Sequence, residues 1–201
     1  MKTNEFQTYF ARISKLVTAE KDELVRLDQA FGDGDLGITM DLGFAEALKY
    51  AAETDIEDTG KFFFGLSKAF NEAAPSSLGT IISFFFMGMA KSLKGVNDAT
   101  LDDLKQAFTA GLNNIKTKCE SKIGDKTIVD ALEPAVIAFN ENSDKDSCLK
   151  AAYLAAEKGM NATKDMVAVF GRAAYHKEKT LGHIDGGAYL AYLVFKALAN
   201  D

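Results

Sequence analysis

The sequence predicts an all-α chain, and three observations carry that expectation. Apolar residues recur at three- and four-residue spacing along most of the 201 residues, which lines one face of successive helices. No stretch alternates apolar and polar side chains between hairpin turns, so no strand is predicted. Proline stands only at 75 and 134, which leaves long stretches free of the residue that most disrupts a helix.

Taken in order, Phe6, Tyr9, Phe10, Ile13, Leu16 and Val17 share one face of a first helix that runs on through Leu24 to about Phe31. The same periodicity predicts helices over 36–53, 60–73, 76–94, 100–118, 127–140, 146–161 and 183–199, eight in all. Thr59, Ser76 and Thr100 offer capping oxygens at three of the starts, and Asp103 completes a capping box with Thr100. Helices of this length with short connections pack as antiparallel neighbours around a shared apolar interior. Phe62, Phe63, Phe64, Phe84, Phe85 and Phe86 are read as filling for that interior. Leu78 to Ala90 is the most apolar segment, but it stops at Lys91, short of the roughly 20 residues that cross a bilayer, and reads as a buried helix. No Gly/Ser-rich or single-charge linker interrupts the chain, so residues 1–201 are expected to form a single domain.

Composition narrows the function classes. With 47% hydrophobic and 26% charged residues the chain matches soluble globular proteins and neither disordered, collagen-like nor membrane chains. Its 23 basic against 29 acidic residues give a formal charge of -6, so the basic footprint that nucleic acid demands is absent. The start, MKTNEFQTYF, lacks the apolar core of a secretory signal, and a cytoplasmic protein is expected. Cys119 and Cys148 stand without a CxxC motif or nearby histidines; they read as two reduced thiols, with neither a disulfide framework nor a zinc site indicated.

The chemistry concentrates in Leu27 to Met40, LDQAFGDGDLGITM. Asp28 lies four residues after Leu24 and eleven after Val17, on the inward stripe of the first helix. Asp33 and Asp35 follow in a tight loop with Gly32, Gly34 and Gly37. Three carboxylates crowded together repel unless cations hold them, and oxygen-only ligands favour hard ions, magnesium first. The glycines let the backbone take positive φ and approach whatever the metal carries. Gly32, Gly34 and Gly37 formally spell GxGxxG, but a helix rather than a strand precedes them, which excludes a dinucleotide fold. Position twelve of a calcium loop counted from Asp33 is Phe44 instead of glutamate, and no buried strand precedes the loop as a phospho-aspartate enzyme requires. A plain Asp/Gly turn with Asp35 capping the next helix stays open; it accounts for Asp35 and the glycines but leaves Asp28 unexplained. If metal binds, the helix start at Leu36, with the Thr39 hydroxyl in its first turn, adds a phosphate site. APSSLGT repeats that chemistry with Ser76, Ser77 and Thr80 around Gly79, and the two together suit a di- or triphosphate.

LD-x3-GDGD-x-G, the GT at 79 and 80, GDKT at 124 to 127, and GRAAY followed by GHIDGGA at 171 to 188 occur in one order along nearly the whole chain. In that order and spacing they resemble the nucleotide-binding L subunits of bacterial dihydroxyacetone kinase. The resemblance implies a barrel of eight antiparallel helices with ADP or ATP, tightly bound, and two magnesium ions at one end. It makes Asp28, Asp33 and Asp35 the magnesium ligands. Leu36, Gly37, Ile38 and Thr39, with Ser76 and Ser77, would contact phosphates; Gly124 would lie near adenine; and Arg172 with the Asp185, Gly186, Gly187 turn would close over the nucleotide. No catalytic side chain is implied apart from this metal and nucleotide centre. Leu36 stands where the family often has a polar residue, so no side-chain role is expected there, and DGG replaces the family's DPG. His176 and His183 could suggest a phosphohistidine, but the family's phosphohistidine belongs to a partner, and His183 is read as structural. The implied activity is phosphoenolpyruvate-dependent: bound ADP takes a phosphoryl group from an M subunit and passes it to dihydroxyacetone on a K subunit. The alternatives are the nucleotide domain of a kinase that exchanges free ATP, or an ADP-binding module that docks a transcription regulator; a homodimer is a further partner left open. No direct contact with nucleic acid or membrane is expected.

Overall fold

The computed structural model describes residues 1–199, and among these there are helices and turns but no strand. The α-helices are α1 Phe6–Ala19, α2 Lys21–Gln29, α3 Leu36–Glu53, α4 Thr59–Ala73, α5 Ser77–Ser92, α6 Leu101–Cys119, α7 Val129–Asn140, α8 Lys145–Ala162 and α9 Gly186–Ala199. Short 3₁₀ turns stand at Thr3–Glu5, Thr163–Asp165 and Arg172–Thr180. The chain is therefore all-α, with nine α-helices among the described residues where periodicity predicts eight.

The extra helix comes from a break in the first predicted one. Glu20 takes φ -100 and ψ 10, and Leu24 N–H reaches back to its carbonyl at 3.0 Å, so a new helix opens there. Asp22 and Glu23 in the first turn of α2 favour a helix N-terminus at this place through the helix dipole. The apolar stripe runs on through the break, which is why spacing alone joins the two helices.

Two compact units emerge, one of Met1–Thr18 with Thr39–Glu120 and one of Ala19–Ile38 with Ser121–Asp201. In the first, α4 packs on α5 and α5 on α6 around phenylalanine. Phe6 stacks on Phe62 at 5.6 Å, Phe44 meets Phe70 edge-on at 5.0 Å, and Phe70 meets Phe86 at 5.7 Å. Such pairs add to the apolar burial of each ring. Phe62, Phe63 and Phe86 are buried as expected of core filling, but Phe64 is exposed beneath the Lys68 ammonium, and Phe84 and Phe85 are half-buried. A helix turns every 3.6 residues, so three consecutive phenylalanines cannot all face inward. Ser76 caps α5 by accepting from Gly79 N–H, and Thr100 and Asp103 form the capping box of α6. At α4 the cap is Asp58, which accepts from Lys61 N–H; Thr59 is instead the first helical residue, with its hydroxyl buried. No helix among the described residues is long and apolar enough to cross a membrane.

In the second unit α7 packs on α8, both pack on α9, and α2 packs on α9. The last helix starts at Gly186 rather than at 183, because Asp185 accepts from Ala188 N–H at 2.8 Å and caps it. Cys148 is buried and Cys119 half-buried, and no disulfide joins them.

Candidate metal and phosphate site

The site lies within the second unit, at the turn from α2 to the start of α3. Asp28 sits in the last turn of α2, half-buried, and its backbone carbonyl accepts from Phe31 and Gly32 N–H at 3.0 and 2.6 Å. Its Oδ2 accepts from Gly34 N–H at 2.7 Å, which folds the loop back over the helix end. Of the three loop glycines only Gly34 takes positive φ, at 77°, the region open to glycine at little cost. Gly37 serves close approach instead: a Cβ there would run into the Lys21 carbonyl and come within 2.7 Å of Val25 Cγ2, so α3 can start directly against α2.

This backbone brings one carboxylate oxygen each from Asp28, Asp33 and Asp35 within 4.8 Å of one another, with Asp33 and Asp35 exposed. The cluster is electrostatically costly. Partial burial, and then the charges of Asp33 and Asp28, hold the Asp35 carboxyl above the usual carboxylate range, while Arg172 pulls it down. Arg172 Nη1 lies 2.6 Å from Asp33 Oδ1 and supplies positive charge to the group. Three converging carboxylates form an all-oxygen donor set that suits a hard divalent cation. The N-terminal end of α3 follows immediately and adds the positive end of a helix dipole.

The other predicted residues fall into two groups. Leu36 is buried, and a Cβ on Gly186 would approach its Cδ2 to 2.5 Å, so the Asp185–Gly187 turn rests on the start of α3. The Leu36 side chain is thus a packing contact. Asp185 N–H donates to Thr163 Oγ1 at 3.1 Å, and loss of water around its carboxyl pushes the pKa up to about 6 in spite of the Ala188 N–H and the nearby Lys126. Ile38, still in this unit, is exposed on α3. Gly124 takes φ 96 and its N–H donates to Asp130 Oδ1 at 2.6 Å. Arg172 opens the 3₁₀ segment Arg172–Thr180 just after Gly171 at φ 64. The rings of His176 and His183 lie 5.2 and 5.0 Å from that of Phe31. Thr39, Ser76 and Ser77 belong to the first unit; there Thr39 is buried, Ser76 Oγ accepts from Gly79 N–H at 3.1 Å, and Ser77 is the first residue of α5.

One residue escapes sequence reasoning. Lys126, inside the GDKT motif noted for its glycine, is buried, and its ammonium donates to the carbonyls of Thr163, Thr180 and His183. A lysine in a polar motif normally reads as surface charge, and only φ 59 beside a glycine turn marks it as unusual.

Comparison with known proteins shows the family. The DAK2 domain family model matches residues 30–200. The ADP-binding subunit DhaL of PEP-dependent dihydroxyacetone kinase 1 from Listeria innocua is 34% identical over 90% of this chain and 88% of its own. The corresponding DhaL subunit from Escherichia coli is 26% identical over 99% of this chain and 97% of its own. The dihydroxyacetone kinase of C. freundii, solved in complex with AMP-PNP and Mg2+, shares the fold at a TM-score of 0.76 and 24% identity; the match covers 96% of this chain and 33% of that one. With a family match across most of its length and a full-length relative at this identity, the chain belongs to the DAK2 domain family, alongside phosphotransferase subunits of dihydroxyacetone kinase.

Proposed function

We propose that the chain is the ADP-carrying subunit of a phosphoenolpyruvate-dependent dihydroxyacetone kinase, acting in the cytoplasm as a single nucleotide-binding domain. In this reading a phosphoryl group arrives from a phosphohistidine on an M subunit and leaves for dihydroxyacetone held on a K subunit. The observation that carries it is the convergence of Asp28, Asp33 and Asp35 at the start of α3, in a chain that matches relatives named as ADP-binding subunits over most of both lengths.

When bound, Mg-ADP supplies the diphosphate that takes up the phosphoryl group, with two magnesium ions neutralising the charge. The chain's own residues hold and orient it. The three aspartates would hold the ions, and the backbone of Leu36, Gly37 and Ile38 with the hydroxyl of Thr39 would donate to phosphate. Ser76 and Ser77 add donors from the start of α5; the Ser76 oxygen that accepts from Gly79 N–H keeps its own O–H to give. Gly124 lies by adenine, where the lack of a side chain leaves room: nothing stands within 4 Å of a Cβ built there. Arg172, which pairs with Asp33, would also serve the phosphates, and the Asp185–Gly187 turn would close over the nucleotide. No side chain is assigned as nucleophile or general base, because phosphoryl transfer depends mainly on positioning and charge neutralisation.

Gel filtration of the purified chain followed by nucleotide and metal analysis tests this. Retained ADP with about two magnesium ions per chain, as a two-metal phosphoryl site requires, is the expected result, and Asp33→Ala loses both while keeping its helical circular dichroism. Retention of both by Asp33→Ala would overturn the metal assignment. Rapid exchange of the bound ADP with free ATP would point instead to a kinase that uses ATP directly.

A further inference from the structure

We infer that Lys126 is a positioning residue that pins the base of the segment between Thr163 and His183 and thereby presents Arg172 to the metal and phosphate site; the inference rests on the functional reading above. An ammonium has three N–H donors, and Lys126 gives them to Thr163 O at 2.6 Å, Thr180 O at 2.8 Å and His183 O at 2.6 Å. One acceptor stands where the segment leaves α8 and two where it returns toward α9. Lys126 is 5% exposed, and at φ 59 its backbone sits in a region that L residues enter only when their surroundings impose it.

The residues it grips are themselves connectors. Thr163 Oγ1 accepts from Asp185 N–H and donates to Met160 O, which ties the start of the segment to the cap of α9. Thr180 Oγ1 accepts from Ala168 N–H and donates to Lys177 O, and Gly182 N–H reaches Lys164 O at 2.7 Å. Between these ties runs the 3₁₀ segment that begins at Arg172, whose guanidinium meets Asp33. The segment has no α-helical hydrogen bonds to fix its course, so a buried charge that gathers both of its ends has the strongest hold on where Arg172 points. Helices α7, α8 and α9 pack through apolar faces that do not include Lys126. Removing the ammonium should therefore free the segment before it loosens the helices.

The test is a double-mutant cycle in the full chain, stripped of bound nucleotide and metal beforehand, with Mg-ADP titrated by calorimetry into wild type, Lys126→Met, Arg172→Ala and the double variant. Lys126→Met is expected to keep its helical signal and to weaken binding about tenfold, mid-range for residues coupled through one network. In the Arg172→Ala background the same change is expected to weaken binding less than about twofold, because its route of action is gone. Hydrogen exchange gives a readout that needs no nucleotide: the amides of Ala168, Gly182 and Asp185 exchange faster in Lys126→Met while those of α7 do not. Equal losses in the two backgrounds, or unaltered binding and exchange, would overturn the inference. If wild type itself takes up no Mg-ADP, the functional reading falls and the inference with it, whereas uptake by wild type with equal losses sinks the inference alone. If Lys126→Met does not fold, Lys126→Gln, which keeps two donors, goes through the same cycle; failure of both to fold makes the ammonium a general support of the fold and overturns the assignment.

Discussion

Asp185 links the site to stability in a way that pH can measure. Loss of water around its carboxyl raises the folded-state pKa from 3.8 to about 6, against the pull of the Ala188 N–H and Lys126. The folded chain therefore holds a proton that the unfolded chain has released between those two values. Stability from this group is complete below 3.8 and is lost as pH rises through 6, so its slope is negative across that window. At about 1.4 kcal/mol per pH unit, the difference from 3.8 to about 6 makes folding about 3 kcal/mol less favourable with this carboxyl ionised, as at pH 7, than with it protonated. Asp185→Asn removes the charge and keeps an oxygen to accept from Ala188 N–H, and asparagine caps a helix about as well as aspartate. Urea denaturation of the metal-free, nucleotide-free chain should show the variant gaining on wild type by up to about 3 kcal/mol between pH 4 and pH 7. Taking the difference of the two curves cancels the carboxylates they share. Curves that stay parallel across the window, or a wild type that gains on the variant, would refute the desolvation account.

Asp35, raised by partial burial and by Asp33 and Asp28, makes protons compete with metal; calorimetry should find magnesium binding weakening as the solution is acidified toward the raised Asp35 range, and a flat profile would count against the three-carboxylate site. Gly37→Ala sets a methyl against the Lys21 carbonyl and Val25 and should cost about 1–3 kcal/mol in chemical denaturation, as overpacking does; a neutral result would mean that α3 can shift away from α2 freely. Thr100→Ala breaks the capping box of α6 and should cost about 1 kcal/mol, read from the shift in denaturation midpoint. Phe70→Ala, at a fully buried ring between Phe44 and Phe86, should cost about 3–5 kcal/mol. Phe64→Ala on the exposed face should stay within about 0.5 kcal/mol by the same measurement.

What the sequence reveals depends on how local the deciding interaction is. The start of α5 and the capping box of α6 are legible because Ser76 with Gly79 and Thr100 with Asp103 make their bonds within one turn. The start of α4 is less so: Asp58 and Thr59 are adjacent acceptors, and only the folded chain shows that Asp58 takes the Lys61 N–H. The break at Glu20 leaves no mark on apolar spacing, since Leu16, Val17 and Leu24 continue one stripe across it. The acidic loop is legible for the same reason as the caps, with three aspartates and three glycines inside a few residues. Arg172 is far from Asp33 in the chain and enters only through the family resemblance. Lys126 stays hidden altogether, because the three carbonyls that bury it belong to residues with no local pattern pointing back to position 126.

The same contrast holds within the carboxylate loop itself. The loop is folded by backbone groups: Gly32 N–H on the Asp28 carbonyl, Gly34 N–H on Asp28 Oδ2, and positive φ at Gly34. The Arg172 guanidinium adds positive charge at Asp33. A site ordered in advance does not spend binding free energy on arranging its ligands. Under the proposed function the carboxylates hold the cation and Arg172 serves the phosphates. Lys126→Met and Asp33→Ala should for this reason differ in kind. The first leaves the carboxylates in place and weakens the hold on nucleotide, whereas the second removes the charge that both the cation and Arg172 require.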